Sequence, residues 1–344
     1  MPLRLTVGFS DNPRVRPLMD GAVTAQNIEL DFVTAPVAEL FCRNLKFEEF
    51  DVMEMAIGCT IMAKERSDGN RWDWAALPVF LSKSFLFVHL YVNAGSGIQR
   101  FSDLAGKRLG VPDYAMDGVL WMNILLKDLY GIMPGDIAWY IGRTKSASLG
   151  GILGLDVNPP VGVQLNWLND GHALDVMLDR GEIDGALLTP ASLSSRSNPS
   201  KIDRYSGTPL VNNPRVRRLF ADGGKEIIAT YFSKTGIIPP NHVVVLKNKI
   251  AKQNPWIALE LYKAFQRSKA VAYERFRDLR STCLLFEGKD LQEQAITFGE
   301  DPYPLGIKAN RSMLEAALRG ALEQGVVTRS FKIEDIFYKT TLDT

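Results

Sequence analysis

Asp103-Leu104-Ala105-Gly106-Lys107-Arg108-Leu109-Gly110-Val111-Pro112 and Leu178-Asp179-Arg180-Gly181-Glu182-Ile183-Asp184-Gly185-Ala186 are the stretches whose reading decides the architecture. The first sets a short helical turn directly before a strand, Arg108 to Pro112. The second ends a short helix (172–180) at Gly181 and re-enters a sheet at Asp184-Gly185-Ala186-Leu187-Leu188. Helix-like segments between strand-like ones predict an α/β chain with mainly parallel sheets. Toward the N-terminus, Leu3–Phe9 alternates as a strand and the polar turn Ser10-Asp11-Asn12-Pro13 follows. Pro36 opens a helix that sets Val37, Leu40, Phe41 and Leu45 on one face, and 50–55 reads as the next strand. Residues 86–92 form an apolar run expected to be a buried strand, with a turn at 93–97. Toward the C-terminus, 116–130 has helical spacing and stops at Gly131; 150–162 reads as loop, and 192–214 as irregular. His242-Val243-Val244-Val245-Leu246 is a strong strand signal, and Pro255 opens a long helix. A final helix is expected from Asn310 to a stop at Gly325, capped at both ends.

Composition narrows the function classes. With 344 residues, a length for about two domains, and 46% hydrophobic residues, the chain can bury a large core and needs neither disulfide nor metal staples. Forty Lys and Arg against 39 Asp and Glu leave a net charge of +1 and no long like-charge block, which argues against nucleic acid as a partner. No signal-peptide pattern precedes the first strand, and no apolar run is long enough for a membrane helix. Cys42, Cys59 and Cys283 lack disulfide or zinc spacing and read as reduced thiols, so a cytoplasmic location is expected. No His/Asp/Glu cluster has metal-ligand spacing, and no dinucleotide or phosphate loop appears in a suitable context.

The two opening stretches resemble the start and the closing step of the second lobe of a type II periplasmic-binding-protein fold, with His242 to Leu246 as the return crossing. The resemblance implies two lobes, residues 1–92 plus 243–344 and residues 93–242, each a mainly parallel sheet flanked by helices, with two hinge crossings and a ligand cleft between. Further segments, in order along nearly the whole chain, narrow the resemblance: 50–55, Pro78-Val79-Phe80, 111–116, Asn213-Pro214-Arg215-Val216-Arg217-Arg218-Leu219-Phe220, Pro255-Trp256-Ile257-Ala258 and Asp301-Pro302-Tyr303-Pro304-Leu305-Gly306-Ile307. These are similar to the 4,5-dihydroxyphthalate decarboxylase family. The resemblance implies a cytosolic, cofactor-independent carboxy-lyase of a hydroxylated aromatic acid, with a homo-oligomer as the assembly it suggests. The chain departs from the family pattern at Lys83 (usually Arg), at Leu86-Phe87 (often a polar Arg-His pair) and at Asp113 (usually Glu).

Direct loss of CO2 from an aromatic acid would leave a lone pair in the ring plane. The feasible route protonates the ring carbon bearing the carboxylate while a phenol becomes keto-like. It needs a base, an acid and cationic anchors, and no redox metal or organic cofactor. His242 opens the return strand and titrates near neutrality. Asp113 follows a strand end, where α/β ligands bind, although an N-cap role for the 116–130 helix reads equally well. Glu54 interrupts an apolar strand and needs a partner. Those three are the expected proton-transfer groups. Arg14 and Asp11 after the first strand, Lys83, and Arg143 after a strand end are the expected substrate-binding groups. His89 reads as a core histidine and His172 as a helix decoration. The alternatives are a non-catalytic solute-binding protein, or another enzyme on the same fold such as a chorismate-dehydratase-like or pyrimidine-precursor-synthase-like one.

Overall fold

The computed structural model describes residues 2–189, 202–283 and 289–344, without the side chains of 278–283 and 289–291. Its strands form two sheets. The first, in the order β2-β1-β3-β11-β4, comprises β1 (Leu3–Phe9), β2 (Ile28–Thr34), β3 (Val52–Ala56), β4 (Trp74–Leu77) and β11 (His242–Lys247). The second, in the order β10-β5-β9-β6-β7-β8, comprises β5 (Leu90–Asn93), β6 (Arg108–Val111), β7 (Ala138–Ile141), β8 (Gln164–Trp167), β9 (Gly185–Leu187) and β10 (Val216–Arg218). Each sheet holds one strand that runs against its neighbours. That strand is β11 in the first sheet and β5 in the second. Both are the strands that arrive from the other sheet. This is the two-lobed α/β architecture of periplasmic binding proteins, as the motifs led us to expect.

The helices that position the site are α1 (Val37–Phe47), α2 (Ile57–Arg66), α3 (Asp117–Tyr130), α4 (Ile257–Cys283) and α5 (Ile307–Glu323). Strand β11 shows why a continuous apolar run belongs here. Val243 and Val245 enter one core, which also contains Met53, Leu109 and Trp121. Val244 and Leu246 enter the other, with Leu5, Val7 and Phe265. A strand covered on both faces has no polar side to show.

The two motif stretches meet. Arg108 donates through Nε to Asp184 Oδ2 (3.0 Å) and through Nη2 to Oδ1 (2.8 Å), and its backbone N–H also reaches Oδ2 (2.8 Å). This fork joins the starts of β6 and β9, which then pair in parallel. Gly110 on β6 must lack a side chain, because a Cβ there would lie 2.7 Å from Ile183 and from Leu174.

Several boundaries differ from the sequence reading. The 86–92 run splits into a 3-10 turn, Leu86–Val88, and strand β5. The glycine-bearing loop carries a short helix, Leu149–Ile152, whose N-cap Ser148 accepts from the Gly151 N–H. The final helix starts three residues before Asn310, with no side-chain cap at its N-terminus. Asn310 is inside it, buried, with its amide bonded back to the carbonyls of Pro304 and Gly306. The irregular stretch expected at 192–214 lies outside the described residues up to 201, and 202–214 forms neither helix nor strand. Cys42 and Cys59 are buried and free; the Cys283 side chain lies outside the described residues. Among the described residues no helix is long and apolar enough to cross a membrane.

Asp184→Ala leaves Arg108 Nε and one backbone N–H without their acceptor, while Nη2 keeps only the Gly181 carbonyl (3.1 Å). It should destabilise the protein by about 1–3 kcal/mol, read as a lower urea midpoint at unchanged slope.

Candidate active site

Loops at the C-terminal ends of the parallel strands of both sheets surround a cavity of about 260 Å³, the position at which open α/β sheets bind ligands. Its polar wall is made by Ser82, Asp117, Arg143, Thr189, Asp203, Asn241 and His242, and its apolar wall by groups that include Phe41, Leu86, Pro112, Met116 and Leu149. That volume suits a single substituted ring. Asn241 fixes the rim: its N–H donates to Ser82 O (2.9 Å) and its side-chain amide to Ser84 Oγ (2.8 Å).

His242 faces Ala56 across the β11–β3 ladder, two residue pairs from the Val244–Glu54 pair. Its Nδ1 lies 2.9 Å from Glu54 Oε2, and the other carboxylate oxygen accepts the Ser10 N–H. Glu54 is 2% exposed. Burial opposes charge on both partners, but their mutual hydrogen bond and attraction outweigh it. Glu54 is held below the usual carboxylate range, helped by Ser10, and His242 is held above the usual imidazole range, helped by Asp117. The Phe41 ring meets the imidazole edge-on at 5.0 Å. With Nδ1 committed to Glu54, Nε2 is the nitrogen left for a ligand.

Arg143, at the end of β7, is 6% exposed. Its Nε donates to Asp203 Oδ1 (2.5 Å) and its Nη1 to Asp113 Oδ2 (3.2 Å). Burial works against the guanidinium charge, and the two carboxylates more than restore it. Asp113 is fully buried behind Arg143 and does not line the cavity. It accepts from the N–H groups of Ala115 (3.0 Å), Leu149 and Gly150 (3.2 Å) as well. The helix that it was a candidate to cap begins instead from Met116, without a side-chain cap.

Asp117, the first residue of α3, was not anticipated. It is 4% exposed, lines the cavity, and accepts the Gly58 N–H from the start of α2 (3.0 Å). Burial pushes its carboxyl up to about 7, against the pull of His242 and of the Gly58 and Ile57 N–H groups. An acid in the first turn of a helix ordinarily reads as dipole complement, so the sequence carries no signal that this one turns inward.

The remaining expected substrate-binding residues do not line the cavity. Asp11 pairs with Arg16 at the surface (2.6 Å). The Arg14 guanidinium stacks on Tyr303, 3.4 Å from the ring centroid, and Nη1 donates to Leu81 O (3.2 Å). Lys83 is buried and donates to Asn310 Oδ1 (2.7 Å); burial lowers it to about 8, against the attraction of Asp301. The Asp-Pro-Tyr-Pro-Leu-Gly segment and α5 thus cover both cations. His89 does not line the cavity either, and His172 is exposed. Among the described residues no group of three or more His, Cys, Asp and Glu is placed to hold a metal ion.

Over its whole length the chain is similar to the 4,5-dihydroxyphthalate decarboxylase of Comamonas testosteroni, with 28% identity across 99% of this chain and 98% of that protein. It is 26% identical to the Pseudomonas putida protein of the same name, over 54% of this chain and 70% of that one. The resemblance read from the motifs therefore holds. No family model matches the chain. Solved structures with the same fold include the aliphatic sulphonate binding protein SsuA of Escherichia coli (TM-score 0.52, 13% identity, 100% of both chains). Another is the zinc-bound ligand-binding component of an ABC-type import system of Staphylococcus aureus (TM-score 0.53, 12% identity, 99% and 98%).

Because the Asp117 carboxyl is raised, the folded state keeps a proton there that the unfolded chain has released. That holds from about pH 4, the ordinary carboxylate range, to about pH 7. The unfolded state binds fewer protons in this window, so stability falls as pH rises, by at most about 1.4 kcal/mol per pH unit. Asp117→Asn should flatten the decline, gaining in Tm relative to the parent at pH 7.5 but not at pH 4.

Proposed function

We propose that this protein is a carboxy-lyase that removes CO2 from a hydroxylated aromatic acid, with 4,5-dihydroxyphthalate as first candidate and protocatechuate as product. The whole-length similarity to proteins named for that reaction supports the reading. The observation that carries it is the pairing, in the walls of one ring-sized cavity, of a carboxylate-backed imidazole and a buried guanidinium.

The two sheets serve as lobes on either side of the ring, with β5 from Leu90 in the second and β11 from His242 in the first. Arg143 anchors a substrate carboxylate, and Asp113 and Asp203 hold the guanidinium in place rather than taking protons. His242 accepts the phenol proton at Nε2, while Glu54 fixes the tautomer and stabilises the imidazolium that forms. Electron density from the phenolate moves into the ring, the carbon bearing the carboxylate takes a proton, and the C–CO2 bond breaks. Its electron pair restores aromaticity, and His242 returns the first proton to oxygen. Lys83 and Arg14 stay outside the reaction, held by Asn310 and Tyr303.

Purified protein incubated with 4,5-dihydroxyphthalate should release CO2 in step with loss of the diacid. His242→Ala should lower kcat by about 10²–10⁴-fold. Binding without CO2 release would favour the solute-binding alternative, and full turnover by His242→Ala would remove the imidazole from the reaction.

A further inference from the structure

Decarboxylation by this route moves protons at two edges of one ring: at the phenol oxygen and at the carbon that loses CO2. The Glu54–His242 pair can serve the first edge. The second needs a separate acid that touches the cavity and is protonated when substrate arrives. We infer that Asp117 is that acid, a catalytic residue that delivers its proton to the ring carbon; the inference rests on the decarboxylase reading above.

Position and packing both support this. Asp117 lines the cavity that His242 also lines, yet comes from a different element, the first turn of α3. The Gly58 N–H pins one carboxylate oxygen, so the group has a fixed direction rather than a mobile one. The charged and titratable groups around it are His242 on β11, Glu54 on β3 behind that ring, Cys59 on α2, and the Arg143–Asp113 pair beyond. Cys59 is fully buried, and its thiol is pushed up by burial and by Asp117, so it stays protonated. The Asp117 carboxyl itself titrates at about 7, which leaves a large fraction protonated at neutral pH.

The step balances. The Asp117 O–H bond breaks and a ring C–H bond forms. The C–CO2 bond then breaks, and its pair returns to the ring. Asp117 remains as a carboxylate and regains a proton from solvent, so each turnover consumes one proton overall.

The test uses the full chain, with 4,5-dihydroxyphthalate as substrate and protocatechuate as product. In D2O, the parent protein should also exchange deuterium into protocatechuate at the ring carbon that bore the carboxylate, without added CO2. Asp117→Asn should bind protocatechuate within about threefold of the parent, yet lose both CO2 release and ring exchange by about 100-fold. In the parent, kcat/KM should fall on the alkaline side, and Asp117→Glu should retain activity with that limb displaced. If Asp117→Asn does not fold, the Glu variant decides, because an undisplaced limb overturns the assignment. So does an Asp117→Asn protein that releases CO2 within tenfold of the parent. A parent protein that binds the diacid and releases no CO2 fails at the level of the decarboxylase reading instead.

Discussion

A buried carboxylate in an apolar strand sets the terms for the rest of the site. Every residue of β3 is buried, and Glu54 is at its centre. An ionised group there is tolerated only if neighbours supply hydrogen bonds and charge. Two come from adjacent strands: the Ser10 N–H beyond the end of β1, and the His242 ring at the start of β11. The same contacts therefore align the ends of three neighbouring strands and turn the imidazole toward the cavity. Removing either partner would leave a charge in the core. The orientation of the ring at the start of the return crossing follows from that one electrostatic requirement.

Arg143 obeys a parallel rule on the other sheet. A guanidinium almost fully removed from water needs compensation, and it has more than one countercharge in Asp113 and Asp203. Asp113 in turn gathers the N–H groups of Leu149 and Gly150, so the short helix, the strand end and the arginine form one unit. Leu86 contributes apolar surface to the same cavity. Ring packing and directional anchoring are thus supplied by different walls.

Much of this was legible in the sequence because it is local. The Asp-Leu-x-Gly-Lys and Gly-Glu-Ile-Asp stretches each encode a complete turn, and Arg108 and Asp184 within them meet in space. Glu54 and His242 announced themselves as polar residues in or beside apolar strands, and Arg143 as a strand-end cation. The same positional rule placed Lys83 and Arg14 at the ligand edge. It failed to foresee that residues 301–310, more than two hundred positions away, cover them. The choice between Asp113 and Asp117 was equally illegible. They are four residues apart around one helix start, and only the three-dimensional path decides which turns to Arg143 and which to the cavity. Asn310 looked like a cap because helix propensity does not reveal that the chain is already helical from Ile307.

The electrostatics of the cavity also couple substrate capture to readiness for chemistry. An anionic carboxylate near Arg143 raises the proton affinity of every acid that shares the cavity, because like charges oppose one another more strongly where water is displaced. Asp117, already raised by burial, is driven further toward its neutral form. A ring that brings its own negative charge therefore loads the donor that its carbon requires. When CO2 leaves as a neutral molecule, the electron pair of the broken bond stays with the ring and the proton taken up at carbon cancels the charge, so the proton affinity of the site falls back. On this argument a cleft shaped to hold an anion needs few additions to become a lyase. It needs a buried acid close enough to feel the anion, and an imidazole whose far nitrogen is already spoken for.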